Sequence, residues 1–237
     1  MRKHHALLRA FTEGSRTFLY PTIKRLIDIL LSLLLITLSL PVSCFIYWRI
    51  RKNERIAAFV KQRHIGKHGK PFMRLQFRTH AYPSSVIHAM PPQFLSQKWQ
   101  NGVPDNIAMS DEMIGVLHQT GIFLRKYHIH HLPELLNVLK GEMSIVGPCS
   151  EIIEVAAYYN EEQRRRLLAK PGITGLAQLN QLTHEHHGEM MKQDLSYIDK
   201  RSVLLDMKII WLTIIHYPNR YLMKRNLFSL HNHSIGE

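Results

Sequence analysis

The sequence predicts an α-dominated α+β protein that is held at a membrane by its N-terminal part. Twenty residues from Ile29 to Trp48 carry no charge, which is about the ~20 residues that a helix needs to cross a bilayer. Two short apolar runs between Phe59 and His80 surround a turn at Gly66 and Gly69, as in a pair of strands. Leucines at helical spacing follow from Leu132 to Leu139. A chain of 237 residues can bury one core of ordinary size.

The apolar stretch has two alternatives to a membrane helix. The core helix of a soluble protein would also be apolar. A secretory signal has a shorter apolar core followed by a small-residue cleavage site, whereas this stretch starts late and nothing resembling such a site follows it. Membrane association is therefore the prediction.

Pro41 lies inside the stretch, where it removes a backbone donor and clashes with the preceding turn. Basic residues flank the stretch on both sides: Lys24 and Arg25 before it, and Arg49, Arg51 and Lys52 after it. A helix that crosses a membrane normally has its lysines and arginines on one side. The residues favour a re-entrant helix that bends at Pro41 and returns to the same face, although they leave a simple crossing open.

The composition predicts an anionic partner, because 31 lysines and arginines face 18 acidic residues and the formal charge is +13. Nucleic acid is the weakest of the three candidate partners, since no nucleic-acid-binding motif accompanies the charge. Anionic lipid and phosphorylated substrates remain. Six basic residues within one 18-residue window suit either of them: Lys61, Arg63, Lys67, Lys70, Arg74 and Arg78.

Cysteine and histidine usage argues against a disulfide-stabilised protein and against a zinc protease. Cys44 and Cys149 are too few for a disulfide framework, and Cys44 lies in the apolar stretch, which favours a reducing compartment. Two histidine clusters, at 128–131 and at 184–187, lack the spacing of a zinc-protease helix. We therefore expect solvated loop histidines and no metal site.

Six segments, taken in their order and spacing, carry a resemblance to a known family. They are "KRLIDILLSLLLITLSLP", "KQRHIGKHGKPF", "QFRTH", "FLRKYHIHHLPELLNVLKGEMSIVGP", "KPGITGLAQLN" and "DLSYIDKRSVLLDMKIIWLT". From about Lys24 to Thr213 the chain resembles the bacterial sugar transferase family, the monotopic phosphoglycosyl transferases. The resemblance implies transfer of a sugar-1-phosphate from a nucleotide sugar, usually a UDP-sugar, to polyprenol phosphate with Mg²⁺, in surface-polysaccharide or glycoconjugate synthesis.

The resemblance also implies an organisation. Residues 1–20 would be a basic lead-in, 21–52 a re-entrant helix bent at Pro41, 53–217 a small cytoplasmic sugar transferase domain with interfacial helices, and 218–237 a polar basic tail. Both ends of the helix, and the domain, would lie on the cytoplasmic face of the inner membrane. Within the domain we expect a loop at Ala81–Asp111, a helix at Glu151–Ala169 and a surface helix at Leu204–Tyr217.

The chain departs from the family pattern where the chemistry lies. The motif L-D-E-L-P-Q has a nucleophilic Asp and an adjacent supporting Glu, and these two positions hold His130 and His131. The motif G-P-R-P has Cys149 in place of its phosphate-binding Arg. The motif K-F-R-T-M has Gln76 for Lys and His80 for Met. The resemblance still implies phosphate contacts from the residues that remain: Lys70, Arg78, Thr79 and Arg125.

These exchanges leave three functions open, and whether the chain is an enzyme stays open with them. The chain can be a family member with lost or altered transfer. It can be a non-catalytic homologue that regulates assembly by binding a partner enzyme, lipid or nucleotide sugar, or by self-association. Or it can be an active transferase with His130 as nucleophile and His131 as base. Imidazole is a poor Mg²⁺ ligand, so the exchange argues against the family's cofactor in this chain.

Overall fold

The computed structural model describes residues 2–81, 99, 101–105, 117–180, 182 and 186–215, with only the backbone path described for 2–18. Most of the expected Ala81–Asp111 loop, the histidine at position 184 and the 218–237 tail lie outside these residues. Within them the fold is a long N-terminal helix packed on a small α+β domain, which confirms the predicted helix-rich α+β class.

Helix α1 runs from Arg2 to Arg49 and contains both Pro21 and Pro41. It continues as a π-helical turn, Ile50–Glu54, which ends at Arg55 with a left-handed φ of 53°. The segment Leu19–Glu54 is long and apolar enough to cross a membrane. Only 11% of its most apolar window is buried against the rest of the protein, which argues against the soluble-core alternative.

One stripe of α1 contacts the domain, and the other faces are open. Asp28 and Ser32 are buried near the start of the apolar stretch, and Ile46 and Ile50 are buried near its end. The exposed side chains between these places are mostly apolar, and they include Leu34, Leu38, Val42 and Phe45. Helix α1 is therefore attached to the domain at two places about 18 to 22 residues apart, with apolar surface left between them for lipid.

The predicted pair of strands is confirmed. Strand β1 (Phe59–Ile65) pairs with strand β2 (Pro71–Phe77) in antiparallel register, and the 3₁₀ turn Lys67–Gly69 connects them. A further short strand, Glu151–Ile152, pairs with the other edge of β1. We label that strand β4, because strand β3, described next, precedes it in the chain.

A second, two-stranded parallel sheet supports the loop after residue 146. Strand β3 (Ser144–Val146) pairs with strand β5 (Gly172–Thr174). Gly147 follows β3 and lies against the Lys170 carbonyl, with which any side chain at this position would collide. The two strands thus hold this loop close to the chain that leads into β5.

Helix α2 (Gln119–Lys126), a 3₁₀ turn (Ile129–His131) and helix α3 (Glu134–Lys140) follow the first sheet. Pro133 immediately precedes α3 as its N-cap residue and has helical φ and ψ angles, and its missing N–H costs nothing there because a helix start has no intrahelical acceptor for it. The predicted leucine helix is therefore confirmed, with Pro133 tolerated at its start.

The predicted single helix over Glu151–Ala169 is wrong. Its first two residues extend the first sheet as β4, and two short helices follow, α4 (Ile153–Ala156) and α5 (Glu161–Arg164). Asn160 starts α5 with a capping box, in which its side chain accepts from the Gln163 N–H. This cap stops α4 and α5 from merging. A 3₁₀ turn, Arg165–Leu168, ends the segment.

The C-terminal helices complete the core. Helix α6 is Leu176–Leu179, helix α7 is His187–Lys200, and residues 203–215 form helix α8. Ile209 of α8 is fully buried in the main core cluster. The opposite side of α8 exposes apolar side chains, Leu204, Met207, Trp211, Ile214 and Ile215, as the predicted surface helix requires.

Candidate functional site

His130 and His131 lie on the 3₁₀ turn between α2 and α3, and His128 precedes them with a left-handed φ of 52°. The ring centroids of His130 and His131 are 3.8 Å apart. The His128 ring lies 6.1 and 6.2 Å from these two rings. The structure therefore brings the two predicted catalytic positions into direct contact with each other.

The hydrogen bond of His130 fixes its tautomer. Its Nδ1 lies 3.2 Å from the carbonyl oxygen of Leu124, and a carbonyl can only accept, so Nδ1 carries the proton and Nε2 carries the lone pair. Burial lowers the pKa of His130 to about 2, with a further contribution from neighbouring His131. His130 is thus a neutral imidazole at physiological pH.

His131 is paired with a carboxylate whose role the sequence analysis missed. Its Nδ1 lies 2.6 Å from Oε1 of Glu134, one helical turn further along the chain. Arg74 and Gln76, which alternate onto the same face of β2, reach the same oxygen at 2.7 Å and 2.6 Å. The available signals were the three-residue spacing from His131 to Glu134 and the two-residue spacing from Arg74 to Gln76.

Glu134 is ionised and has almost no contact with solvent. Its side chain is 1% exposed, whereas that of His131 is 29% exposed. Burial pushes the pKa of Glu134 up, but Arg74 and His131 more than offset this effect, so its pKa lies well below the usual range. Its second oxygen, Oε2, is buried and has no hydrogen-bond partner among the described residues.

Arg78 and Thr79 lie against the start of α2, where they contact His118 and Gly121. Arg78 is 8% exposed, and its Nε donates to the Ala57 carbonyl. Thr79 is buried and packs so closely on Gly121 that no side chain could replace that glycine's hydrogen. Arg125, on the last turn of α2, lowers the pKa of both His80 and His130, in each case after the larger effect of burial. Of the predicted phosphate-binding residues, Arg125 is therefore the one whose charge acts on His130.

Lys70 lies exposed at the hairpin turn. Gln76 lies six residues further along β2, which corresponds to about 20 Å at ~3.3 Å per residue. The structure therefore places the predicted phosphate-binding Lys70 away from the histidine pair.

The loop that carries Cys149 is held by a buried ion pair. The Cys149 N–H donates to Asp194, its carbonyl accepts from Arg166, and Arg166 lies 2.8 Å from Asp194. Burial, followed by the charge of Asp194, raises the pKa of the Cys149 thiol to about 12. The position where the family has a phosphate-binding Arg is therefore uncharged, and the neighbouring Arg166 is occupied by Asp194 and the backbone.

The predicted solvated character of the histidines is wrong for two of them. His187 is fully buried at the start of α7, with Nε2 3.4 Å from Glu151, and His130 is desolvated as described above. Among the described residues, no group of three His, Cys, Asp or Glu side chains could hold a metal ion. Mg²⁺ prefers oxygen ligands, and the carboxylate in contact with His131, Glu134, is already engaged by Arg74 and Gln76. The described side chains at the histidine turn therefore do not offer a free oxygen donor set of the kind that Mg²⁺ prefers.

The fold and site define a membrane-associated α+β domain whose polar site lies beside the end of the membrane helix. The chain belongs to the bacterial sugar transferase family, because the family model described as "Bacterial sugar transferase" matches residues 19–220. The match confirms the resemblance drawn from the six sequence segments.

Three relatives illustrate the range of the family. The uncharacterized sugar transferase EpsL of Bacillus subtilis is 34% identical over 81% of this chain and 85% of its own length. The UDP-glucose:undecaprenyl-phosphate glucose-1-phosphate transferase of Escherichia coli is 32% identical over 81% of this chain but only 39% of its own length. The exopolysaccharide production protein ExoY of Sinorhizobium fredii is 27% identical over 81% of this chain and 83% of its own length.

Proposed function

We propose that this chain is a membrane-bound protein of surface-polysaccharide synthesis that binds a nucleotide sugar and a polyprenyl phosphate, and in which the carboxylate-dependent transfer of its family is lost or altered. The names of its relatives support the substrate classes, since one acts on UDP-glucose and undecaprenyl phosphate. In the non-catalytic form of this proposal, the protein regulates assembly through a partner transferase, a lipid or the nucleotide sugar.

One observation carries the proposal. The two positions of the family's Asp–Glu pair hold imidazoles in mutual contact, and the carboxylate in contact with His131, Glu134, is buried against Arg74. No carboxylate oxygen at residues 130 or 131 is present to attack phosphorus. Loss of a covalent nucleophile can lower a rate by a factor on the order of 10⁶, as in the protease for which it has been measured.

The charge of the site supports the same conclusion. Phosphoryl transfer depends on cations that stabilise the charge on the phosphate oxygens. Cys149 supplies no charge, and Arg78 donates to a backbone carbonyl. Among the described residues, Arg74 is paired with Glu134, and Arg125 is a further basic candidate near His130.

We further propose the re-entrant topology, with the domain on the cytoplasmic face of the inner membrane. The contacts of α1 support it. Asp28 accepts hydrogen bonds from Ser144 and Ile145, and at the other end of the apolar stretch Ile50 packs with Phe77 and Leu124. A helix with both ends attached to one domain is more easily accommodated on one face of a membrane than across it.

The experiment that tests the function is release of UMP. The purified full-length protein is incubated with UDP-sugars, Mg²⁺ and undecaprenyl phosphate, beside the E. coli relative as a positive control. We expect UMP at background level with this chain, together with measurable binding of UDP. Turnover at a rate typical of enzymes, about 1 to 10³ s⁻¹, would overturn the proposal.

A second candidate, an active transferase with His130 as nucleophile, is favoured by the hydrogen bond from Nδ1 to Leu124. The Nε2 lone pair would attack the β-phosphorus of the nucleotide sugar. The bond from that phosphorus to the bridging oxygen would break, and UMP would leave with the electron pair. The ring would then carry the phosphosugar on Nε2, and its Nδ1–H would still donate to the Leu124 carbonyl.

This candidate makes a distinct prediction. A nitrogen–phosphorus adduct is stable in base and labile in acid, so the protein should gain the mass of a sugar phosphate at His130 after incubation with a UDP-sugar and no acceptor. His130→Ala should abolish the adduct, and Cys44→Ser should not change it. An unmodified His130 under conditions in which UDP binds would exclude the candidate.

A further inference from the structure

We propose that Glu134 and His131 act as a carboxylate–histidine pair that takes up a proton when a nucleotide diphosphate binds, so that His131 supplies the positive charge that is missing at position 149. This inference rests on the proposed binding of a nucleotide sugar. It concerns binding and does not depend on turnover. Glu134 is the positioning residue, and His131 is the residue that contacts the phosphate.

The geometry of the pair assigns the proton. Two lone pairs cannot approach to 2.6 Å without a proton between them, so Nδ1 of His131 donates to Oε1 of Glu134. The short distances from Arg74 and Gln76 to Nδ1 then reflect their shared contact with Oε1. Nε2 is left as the acceptor, and it makes no hydrogen bond to any residue that the structure describes. The exposure of His131, at 29% against 1% for Glu134, leaves this side of the ring accessible to a ligand.

The exchanges from the family pattern are connected in space. Position 76 is Lys in the family motif and Gln here, and position 134 is Gln in the family motif and Glu here. These two side chains touch, with Gln76 Nε2 2.6 Å from Glu134 Oε1. Across positions 76, 130, 131 and 134, the family pattern has one lysine and two carboxylates and this chain has one carboxylate. The net charge of these four positions is −1 in the family pattern and in this chain. The negative charge is therefore preserved, but it lies at position 134, about one helical turn after the positions that carry it in the family pattern.

The neighbouring charged groups direct an incoming proton to His131. Burial lowers the pKa of His130 to about 2, so this ring stays neutral. Glu134 stays ionised beside Arg74. The β1 residues opposite Arg74 and Gln76 are the uncharged Gln62 and Val60. Among the described residues, His128 and Arg125 also lie near the histidine turn, and Lys126 and Tyr127 precede it in the chain.

The site also adjoins the loop with the missing Arg. Arg74 interacts with both Glu134 and Cys149. It lies 2.7 Å from the Glu134 carboxylate, and its charge partly opposes the rise in the pKa of the Cys149 thiol. A diphosphate between His131 and this loop would lie on the open side of the ring. Protonated at Nε2, His131 would be an imidazolium between the Glu134 carboxylate and a phosphate oxygen, with a charge-assisted hydrogen bond to each. The proton would come from solvent.

Calorimetric titration of UDP into the full-length protein in lipid nanodiscs tests the inference. Measurement at pH 7.5 in several buffers of different ionisation enthalpy gives the number of protons taken up per UDP bound. We expect uptake approaching ~1 proton for the unmodified protein. His131→Asn should abolish this uptake. Glu134→Gln keeps the shape and the acceptor oxygen, but it should reduce the uptake and weaken UDP binding by roughly tenfold.

His128→Asn is the matched control, because it removes a neighbouring imidazole whose ring lies 6.2 Å from that of His131 and is not part of the proposed pair, and it should leave the uptake unchanged. UDP binding without proton uptake, or uptake that persists in His131→Asn, overturns this inference and leaves the proposed function intact. Absence of UDP binding in the folded, unmodified protein overturns the proposed function itself. Circular dichroism of each variant shows that it is folded.

Discussion

Gln76 and Glu134 are in direct contact, with 2.6 Å between Nε2 and Oε1, although 58 residues separate them in the chain. Both positions depart from the pattern of the bacterial sugar transferase family. Through Glu134 they join His131, and through His131 they join His130. Four of the exchanged side chains, at positions 76, 130, 131 and 134, therefore form one connected cluster.

Asp28→Ala should loosen the attachment of α1 to the domain. The buried Asp28 carboxylate accepts from the Ser144 hydroxyl at 3.0 Å and from the Ile145 N–H at 2.9 Å. Its removal leaves two buried donors without an acceptor, which costs about 1–3 kcal/mol. Thermal unfolding in detergent should show a clearly lower midpoint. Thr37→Val is the control, because Thr37 is exposed and bonds only within its own helix. Equal midpoints for the two variants would show that Asp28 does not anchor the helix.

His80→Met, which introduces the family's residue, should reduce the loss of stability in acid. Burial, then the charges of Arg125 and His118, lower the pKa of His80 from 6.5 to about 4. The unfolded chain therefore binds a proton that the folded chain does not, and stability falls as the pH drops from about 6.5 towards 4. Unfolding midpoints at pH 7.5, 6 and 5 should decline less steeply in the variant. His68→Asn, on the exposed hairpin turn, is the control. Parallel declines in His80→Met and the unmodified protein would contradict the assignment.

Both ends of the apolar stretch should face the cytoplasm. Single cysteines at Thr22 and Asn53, each exposed, are introduced in a background that carries both Cys44→Ser and Cys149→Ser, and are treated with a membrane-impermeant thiol reagent. Both should react in inside-out vesicles and neither in intact spheroplasts. Reaction of one position in spheroplasts would establish a crossing helix. In that background, Pro41→Ala restores the backbone donor that proline lacks, so it is the variant expected to convert a re-entrant helix towards a crossing one.

The elements that could be predicted from the sequence are those set by local pattern. The uncharged run up to Trp48, the glycine turn at Gly66 and Gly69, and the leucine spacing after Pro133 each determine one element of the fold. The segment from Glu151 was predicted incorrectly because its pairing with Ile65 of β1 joins residues that are far apart in the chain. Helical pattern within the segment could not reveal that partner.

In the candidate site, too, a local sequence pattern reveals some features, whereas others depend on contacts between distant parts of the chain. His130 and His131 were found because they occupy two adjacent positions of a recognisable motif. Glu134 was read as part of the motif, but its role depends on Arg74, 60 residues earlier in the chain. The neutral state of His130 depends on burial, and its tautomer depends on the Leu124 carbonyl; a local sequence pattern contains neither.

We propose that the scaffold is intact and that carboxylate-dependent transfer is lost or altered through the side chains at a few positions. UMP release from a UDP-sugar with Mg²⁺ and undecaprenyl phosphate, measured across a series that restores the family's residues, tests it most directly. We expect background release from the unmodified protein and only a small gain with His130→Asp and His131→Glu. Adding Cys149→Arg should increase the rate, and adding Gln76→Lys and Glu134→Gln should increase it most, non-additively, because the groups act together. Enzyme-like turnover by the unmodified protein that His130→Ala abolishes would contradict the claim, as would a fully restored variant that is folded, binds UDP and still releases no UMP.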